Sequence, residues 1–267
     1  MEYETLLKKA NDLLNTIDKA KYPETFDTLD YLVNHDFYQT AEHAWPLLIV
    51  CDKNYPIEPG VAKLLNQILL DEIENGNGDA MCDLGALYYT GRLTGKIDYK
   101  KAVHYYEMAV KHGSRQATEN LGYCYYYGRV GEPDYKKAYH CFVKGALDGH
   151  MISLYKVGDM YKKGLYVEKD ENQAFYIYDH CRNMLNERQM DDFGADIYIR
   201  LADCYFYGIG TKKNLLEALK CYQQAETLYY PRICNGDFMY QKQYERAIAM
   251  QHTVREELKK DIPKHNW

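Results

Sequence analysis

One octapeptide frame, written four times in register, constrains this chain more than anything else in it. The copies are LGALYYTG (84–91), LGYCYYYG (121–128), VGDMYKKG (157–164) and LADCYFYG (201–208). Their closing glycines, Gly91, Gly128, Gly164 and Gly208, are spaced by 37, 36 and 44 residues, and Tyr88, Tyr125, Tyr161 and Tyr205 stand three positions before them. Ten or eleven residues after each glycine comes Ala102, Ala138, Ala174 or Ala218, opening AVHYYEMAV, AYHCFVKGA, AFYIYDHCR and ALKCYQQAE. A fixed period of this length marks a supersecondary unit that buries its apolar face only by stacking on its neighbours.

The spacing inside a copy is helical. Ala80, Leu84, Leu87, Tyr88 and Gly91 fall on one stripe of a 3.6-residue period, which predicts a first helix, A. Ala102, Tyr105, Tyr106 and Ala109 predict a second, B. The short connections open on glycine, the residue that ends a helix in the left-handed conformation at least cost, so A and B run antiparallel. Gly85, Gly122, Gly158 and Ala202 hold one site on A, and the four alanines hold one on B. A mid-helix glycine costs roughly 0.5–1 kcal/mol relative to alanine, so its recurrence predicts a close approach of two helices.

These landmarks resemble the Sel-one-like repeat (SLR) family, relatives of the tetratricopeptide repeat. The first copy matches at Ala80, Leu84, Gly85, Tyr88, Gly91, Lys101, Ala102, Tyr105, Tyr106, Ala109 and Gly113, and the second at Ala117, Leu121, Gly122, Tyr125, Gly128, Lys137, Ala138 and Gly149. The third is looser, with Ser153 and Gln173 at family alanine and lysine sites, and the fourth has Ile197 and Ala202 at alanine and glycine sites. The resemblance implies an all-α, right-handed α-solenoid of antiparallel helix pairs with helical caps at both ends. It also implies a protein or peptide partner. The domain reading is a cap over 1–77 with a degenerate repeat at 38–76, four repeats over 78–113, 114–149, 150–194 and 195–227, and a capping helix and tail over 228–267. The cap should contain a helical pair within 1–37, a helix around Thr40–Cys51 with Trp45 on the site of Gly85, and one from about Glu58 to Glu74. The eight residues added between the last two copies fall in Asn183–Gly194, an irregularity that stacking does not require and so a candidate for specific contacts.

Net charge is −6 and the pI about 5.9, which argues against a phosphate-tracking surface and hence against nucleic acid. No apolar run approaches a membrane span, and the amino-terminal segment, with Glu2 and Glu4, reads as a helix rather than a signal peptide, so a cytoplasmic location is expected. Eight cysteines invite a bridged or zinc-bound reading. Cys124 and Cys204 share a site with Leu87 and Met160, and Cys141 and Cys221 one with Tyr105 and Ile177, an exchange that marks core packing. Cys124–Cys141 and Cys204–Cys221 are both 17 apart, so a bridge from A to B stays open. The family's secreted branch pairs cysteines eight apart into the next copy; here Cys181 holds the first such site and Ile197 the second. There is no CxxC, HExxH, GxGxxG, P-loop or GxSxG, and no nucleophile is set beside a base by spacing, so neither metal, cofactor nor catalysis is expected.

The surface is left. Positions opposite the A stripe are Cys82, Ala86 and Tyr89; Glu119, Tyr123 and Tyr126; Tyr155, Asp159 and Lys162; Ile199, Asp203 and Phe206. Stacked helical pairs turn this side inward, so Tyr89, Tyr123, Tyr126, Tyr155, Asp159, Lys162, Asp203 and Phe206 are the candidate partner-binding residues unless they pack against the next copy. The expected function is a non-enzymatic scaffold that holds a protein or peptide segment. The alternatives are a cell-wall-fragment-binding protein or hydrolase, which the family resemblance also allows, and a regulatory subunit of a larger assembly, which predicts an apolar end cap.

Overall fold

The computed structural model describes residues 3–34 and 58–260, and every described element is helical. The expected helix at Thr40–Cys51, Trp45 and the first part of the degenerate repeat lie outside those residues. The helices are α1 (Tyr3–Leu14), α2 (Pro23–Asn34), α3 (Pro59–Glu74), α4 (Gly78–Thr90), α5 (Tyr99–Lys111), α6 (Arg115–Tyr126), α7 (Tyr135–Leu147), α8 (Met151–Lys163), α9 (Glu171–Met184), α10 (Ala195–Tyr207), α11 (Leu215–Cys234) and α12 (Gln241–Lys260). They form two compact units, Met1–Asp134 and Tyr135–Trp267.

The octapeptide is the carboxyl-terminal half of each A helix, and its last glycine ends the helix as expected. Gly91, Gly128, Gly164 and Gly208 take φ of 73°, 60°, 67° and 73°. The residue after each glycine then donates its N–H back to a carbonyl near the end of the helix: Arg92 to Leu87, Arg129 to Cys124, Leu165 to Met160 and Ile209 to Cys204, at 2.9–3.1 Å. This closure satisfies carbonyls that a helix end leaves orphaned. Six or seven residues past the glycine, Asp98, Asp134, Asp170 and Asn214 each donate a backbone N–H to the carbonyl of Tyr88, Tyr125, Tyr161 and Tyr205, at 2.8–3.0 Å. The side chains of Asp98, Asp170 and Asn214 also accept the N–H of Lys101, Gln173 and Glu217, capping α5, α9 and α11. One residue therefore both ends the turn and starts helix B.

Close approach at the small residues is present and its partner is an aromatic ring. A Cβ on Gly85 would lie 2.7 Å from the ring of Tyr106 and 3.2 Å from the carbonyl of Ala102; one on Gly158 would lie 2.7 Å from the ring of Tyr178. Tyr106, Phe142, Tyr178 and Tyr222 hold one B-helix site and are all buried. Tyr88, Tyr125, Tyr161 and Tyr205 are only half-buried, so the core aromatic of each pair lies on B rather than on A.

In the first unit α4 packs on α5, and both pack on α6. The amino-terminal core joins Ala10 of α1, Leu29 of α2, Val61, Leu64, Leu65, Ile68 and Leu69 of α3, and Leu84 and Leu87 of α4. In the second unit α7 to α12 pack in chain order, with α9 also against α10. The Asn183–Gly194 insertion becomes an Asn186-capped helical turn, Glu187–Gln189, and a π-helical stretch, Met190–Gly194, leading into α10. Arg232 of α11 donates to the Asp192 carbonyl at 2.9 Å. α12 closes the described chain with an outward face of Lys242, Gln243, Glu245, His252, Arg255, Glu256 and Lys259, broken by Ile248 and Ala249. The apolar cap that a built-in subunit would present is not found on this helix. No described helix is long and apolar enough to cross a membrane.

Candidate functional site

The expectation of five projecting aromatics needs correction at three of them. Tyr126, Tyr155 and Phe206 are 8%, 4% and 8% exposed. Real packing buries more than the bare face opposite B, because α4 also packs on α6 and α8 is tied to α10 through Arg200. Tyr155 is covered by the Arg200 guanidinium at 4.1 Å, and Phe206 meets Tyr207 edge-on at 4.7 Å with Lys213 at 5.3 Å.

Asp159 and Asp203 are also not free partner contacts. Asp159 on α8 accepts from the Tyr178 hydroxyl at 2.8 Å and from Arg200 Nε and Nη2 at 2.8 and 2.9 Å, a bidentate pair, with Lys156 at 3.5 Å. Arg200 continues to the Asp196 carbonyl at 2.6 Å, and the Asp196 carboxylate takes the Tyr229 hydroxyl at 3.1 Å. The next copy repeats the arrangement. Asp203 on α10 accepts from the Tyr222 hydroxyl at 2.7 Å and from Arg246 of α12 at 2.6 Å, with Lys162 at 4.0 Å. Burial pushes the Asp159 carboxyl up, but the Arg200 guanidinium outweighs it and holds the group well below the usual carboxylate range. Burial and the Asp159 charge raise the Tyr178 phenol far above its ordinary value, so it stays a neutral donor. These side chains join α8, α9, α10, α11 and α12 through a chain of paired charges. Of the candidates in this unit, Lys162 keeps the largest exposed portion, and it too faces Asp203.

In the first unit the structure brings together Tyr89, Tyr123 and three residues that the spacing did not single out: Tyr99, Tyr127 and Arg129. Arg129 Nε donates to the Tyr89 hydroxyl at 3.0 Å, and the guanidinium lies 5.5, 5.0 and 5.2 Å from the ring centres of Tyr89, Tyr99 and Tyr127. Tyr89 and Tyr99 meet at 5.1 Å, and Tyr123 stacks on Tyr127 at 6.1 Å. Tyr127 is 48% exposed. Such contacts are worth about 0.5–1 kcal/mol each at exposed sites, so the rings orient the guanidinium without burying it. The cue for Arg129 was the GR that follows the octapeptide in the first two copies, Gly91–Arg92 and Gly128–Arg129. The helix closure fixes its backbone through the bond to Cys124.

The thiols divide cleanly. Cys82, Cys124, Cys181, Cys204 and Cys221 are buried and unbridged, Cys141 is half-buried, and Cys234 is exposed. Burial pushes the thiols of Cys82, Cys181 and Cys204 up to about 12 and that of Cys221 up to about 11. Thiols held protonated this firmly are poor nucleophiles and poor metal ligands. Among the described residues no cluster of His, Cys, Asp and Glu is arranged to hold a metal ion.

The Sel1 repeat family model matches residues 78–114, 115–150, 152–179 and 196–228, just over half of the chain. No curated protein matches significantly. Among solved structures, a Sel1 repeat protein from Oxalobacter formigenes is similar at 24% identity and a TM-score of 0.56, over 83% of this chain and 84% of that one. A protective antigen present in uropathogenic Escherichia coli strains, displaying an SLR fold, is similar at 20% identity and a TM-score of 0.57, over 98% of this chain and 56% of the antigen. These likenesses bear on the fold, an all-α solenoid of helix pairs.

Proposed function

Because the chain belongs to the Sel1 repeat family, whose members are generally helical-repeat scaffolds for protein interaction, we propose that it is a non-catalytic scaffold that captures a segment of a partner protein. The observation that carries this reading is the composition of the surface around Arg129. Tyrosine and arginine are the residues most often found at the energetic centres of protein interfaces, since they combine large contact area with polar ends. Here three tyrosines and one arginine are gathered at the junction of two A helices and the start of a B helix. The second unit supports the reading in a different way. Its two candidate carboxylates are engaged in internal ion pairs, so they do not compete for the role of partner contact.

The test is retention of partners from the native lysate on the immobilised full chain, compared with Tyr99→Ser and Tyr127→Ser, each checked by a thermal melt. The expected result is a set of proteins held by the natural chain and lost from both variants while the melts coincide. Retention of the same set by both variants rejects this surface.

A further inference from the structure

Arg129 has a chemical peculiarity that the scaffold reading does not use. Three arginines of the second unit are each answered by a carboxylate: Arg200 by Asp159, Arg232 by Asp237 and Arg246 by Asp203. Arg129 has only the Tyr89 hydroxyl on Nε and three rings around its plane, with no carboxylate partner among the described residues. Its two Nη groups, the end of the fork that matches a carboxylate, make no hydrogen bond within the described chain. A guanidinium held by a hydrogen bond and three neighbouring rings loses little entropy when a planar anion arrives, and bidentate pairing with a carboxylate is its strongest available contact.

The turn that carries Arg129 also holds Glu132 and Asp134, but the neighbouring stretch favours an anionic ligand. The chain as a whole carries −6. Yet the stretch from Gly91 to Lys101, which supplies Tyr99, holds Arg92, Lys96, Lys100 and Lys101 against Asp98 alone, and the Asp98 carboxylate is occupied by the Lys101 N–H. Beside this basic corner stand apolar side chains in water: Ile97 at 55% exposure and Val130 at 43%. A site of this make-up combines one oriented cation with flanking apolar area.

We infer that Arg129, steadied by Tyr89, Tyr99 and Tyr127, is an anchor for a side-chain carboxylate of an acidic, partly apolar segment of a partner protein. The inference rests on the scaffold reading and adds the chemical class of the segment. The carboxylate receives the two Nη donors, and the residues flanking it in the segment cover Tyr127, Val130 and Ile97. The net positive stretch beside the anchor draws the acidic segment in, and salt weakens that attraction.

The test uses the immobilised full chain and four pools of end-capped nonapeptides, degenerate except for a fixed central residue: Glu, Gln, phosphoserine or Lys. The Glu pool is expected to be retained about tenfold over the Gln pool at low salt, as suits a charge-assisted bidentate contact, and less at high salt. Arg129→Gln should erase the difference. Arg129→Lys, which keeps the charge but loses the planar fork, should leave only a minor part of it. Equal retention of the Glu and Gln pools overturns the inference, as does a Glu preference that survives Arg129→Gln, and so does a phosphoserine pool held above the Glu pool. Retention of all pools alike sinks the carboxylate anchor and leaves the scaffold reading standing. Retention of no pool by the natural chain sinks both.

Discussion

Two arginines, one in each unit, show how a single repeat frame is put to opposite uses. Arg200 is sealed between α8 and α10, bidentate to Asp159 and lying on Tyr155, and it ties two copies together. Arg129 sits on the turn after α6 with three tyrosines beside its plane and no carboxylate to meet. In the last two copies the third octapeptide position is Asp159 or Asp203, and an arginine follows 41 or 43 residues later to answer it. In the first two copies that position is Ala86 or Tyr123, so the rung is absent from the sequence. The octapeptide carboxylates are thus paired inside the second unit and have no counterpart in the first.

The same substitution in both places is the hardest test of that contrast. Arg200→Gln leaves Asp159 buried with only Lys156 and the Tyr178 hydroxyl, and breaking one side of a buried pair costs about 3–5 kcal/mol. A thermal melt followed by circular dichroism should fall by many degrees. A melt within a degree or two of the natural chain would mean that Asp159 and Arg200 are not sealed as described.

What the two units share should respond equally. Gly85→Leu and Gly158→Leu both drive a side chain into the ring of the facing tyrosine, where even a Cβ would stand at 2.7 Å. Overpacking of this kind costs about 1–3 kcal/mol, and the two variants should lose stability to a similar degree. A large loss for one and none for the other would show that the A-to-B contact differs between the units after all.

Acid separates the units more gently. The folded-state pKa of Asp159 lies below its unfolded value, so its contribution is fully present above the unfolded pKa and fades as pH falls from about 4 toward the folded value. The natural chain should therefore lose stability on acidification in a way that Asp159→Asn does not. This effect should be smaller than that of Arg200→Gln, because a protonated Asp159 still accepts hydrogen bonds. Melts at pH 7 and pH 3 on both proteins decide it, and parallel losses would remove Asp159 from the account.

These contrasts also explain what could be read from the chain alone. Gly91, Gly128, Gly164 and Gly208 were legible because a left-handed helix end has one cheap solution, and it recurs in all four copies. Gly85 was legible as a close approach, but the ring it admits was not, because its B helix offers two adjacent aromatics, Tyr105 and Tyr106, and spacing alone does not choose between them. Tyr126, Tyr155 and Phe206 were misplaced for a related reason. A helical wheel knows one partner helix, whereas α4 also packs on α6 and α8 is tied to α10. Arg200 and Arg246 went unread because their carboxylates stand a full repeat earlier, beyond the reach of any local pattern. Arg129 was hidden by lying outside both helices, on a turn whose regularity suggested only backbone work.

The smallest effect on stability is expected where the effect on binding is greatest. Arg129→Gln removes one hydrogen bond to Tyr89 and three ring contacts at a partly exposed site, and it leaves no buried carboxylate behind. Its cost should stay near 1 kcal/mol or below, because exposed cation–π contacts are individually weak and the freed tyrosine hydroxyl can turn to water. The backbone N–H that closes α6 onto Cys124 is untouched by the change of side chain, so the turn itself should hold. A melt of Arg129→Gln beside that of Arg200→Gln measures the contrast directly. If the two variants lose the same amount, Arg129 belongs to the packing of its unit, and the open fork has been misread as a surface.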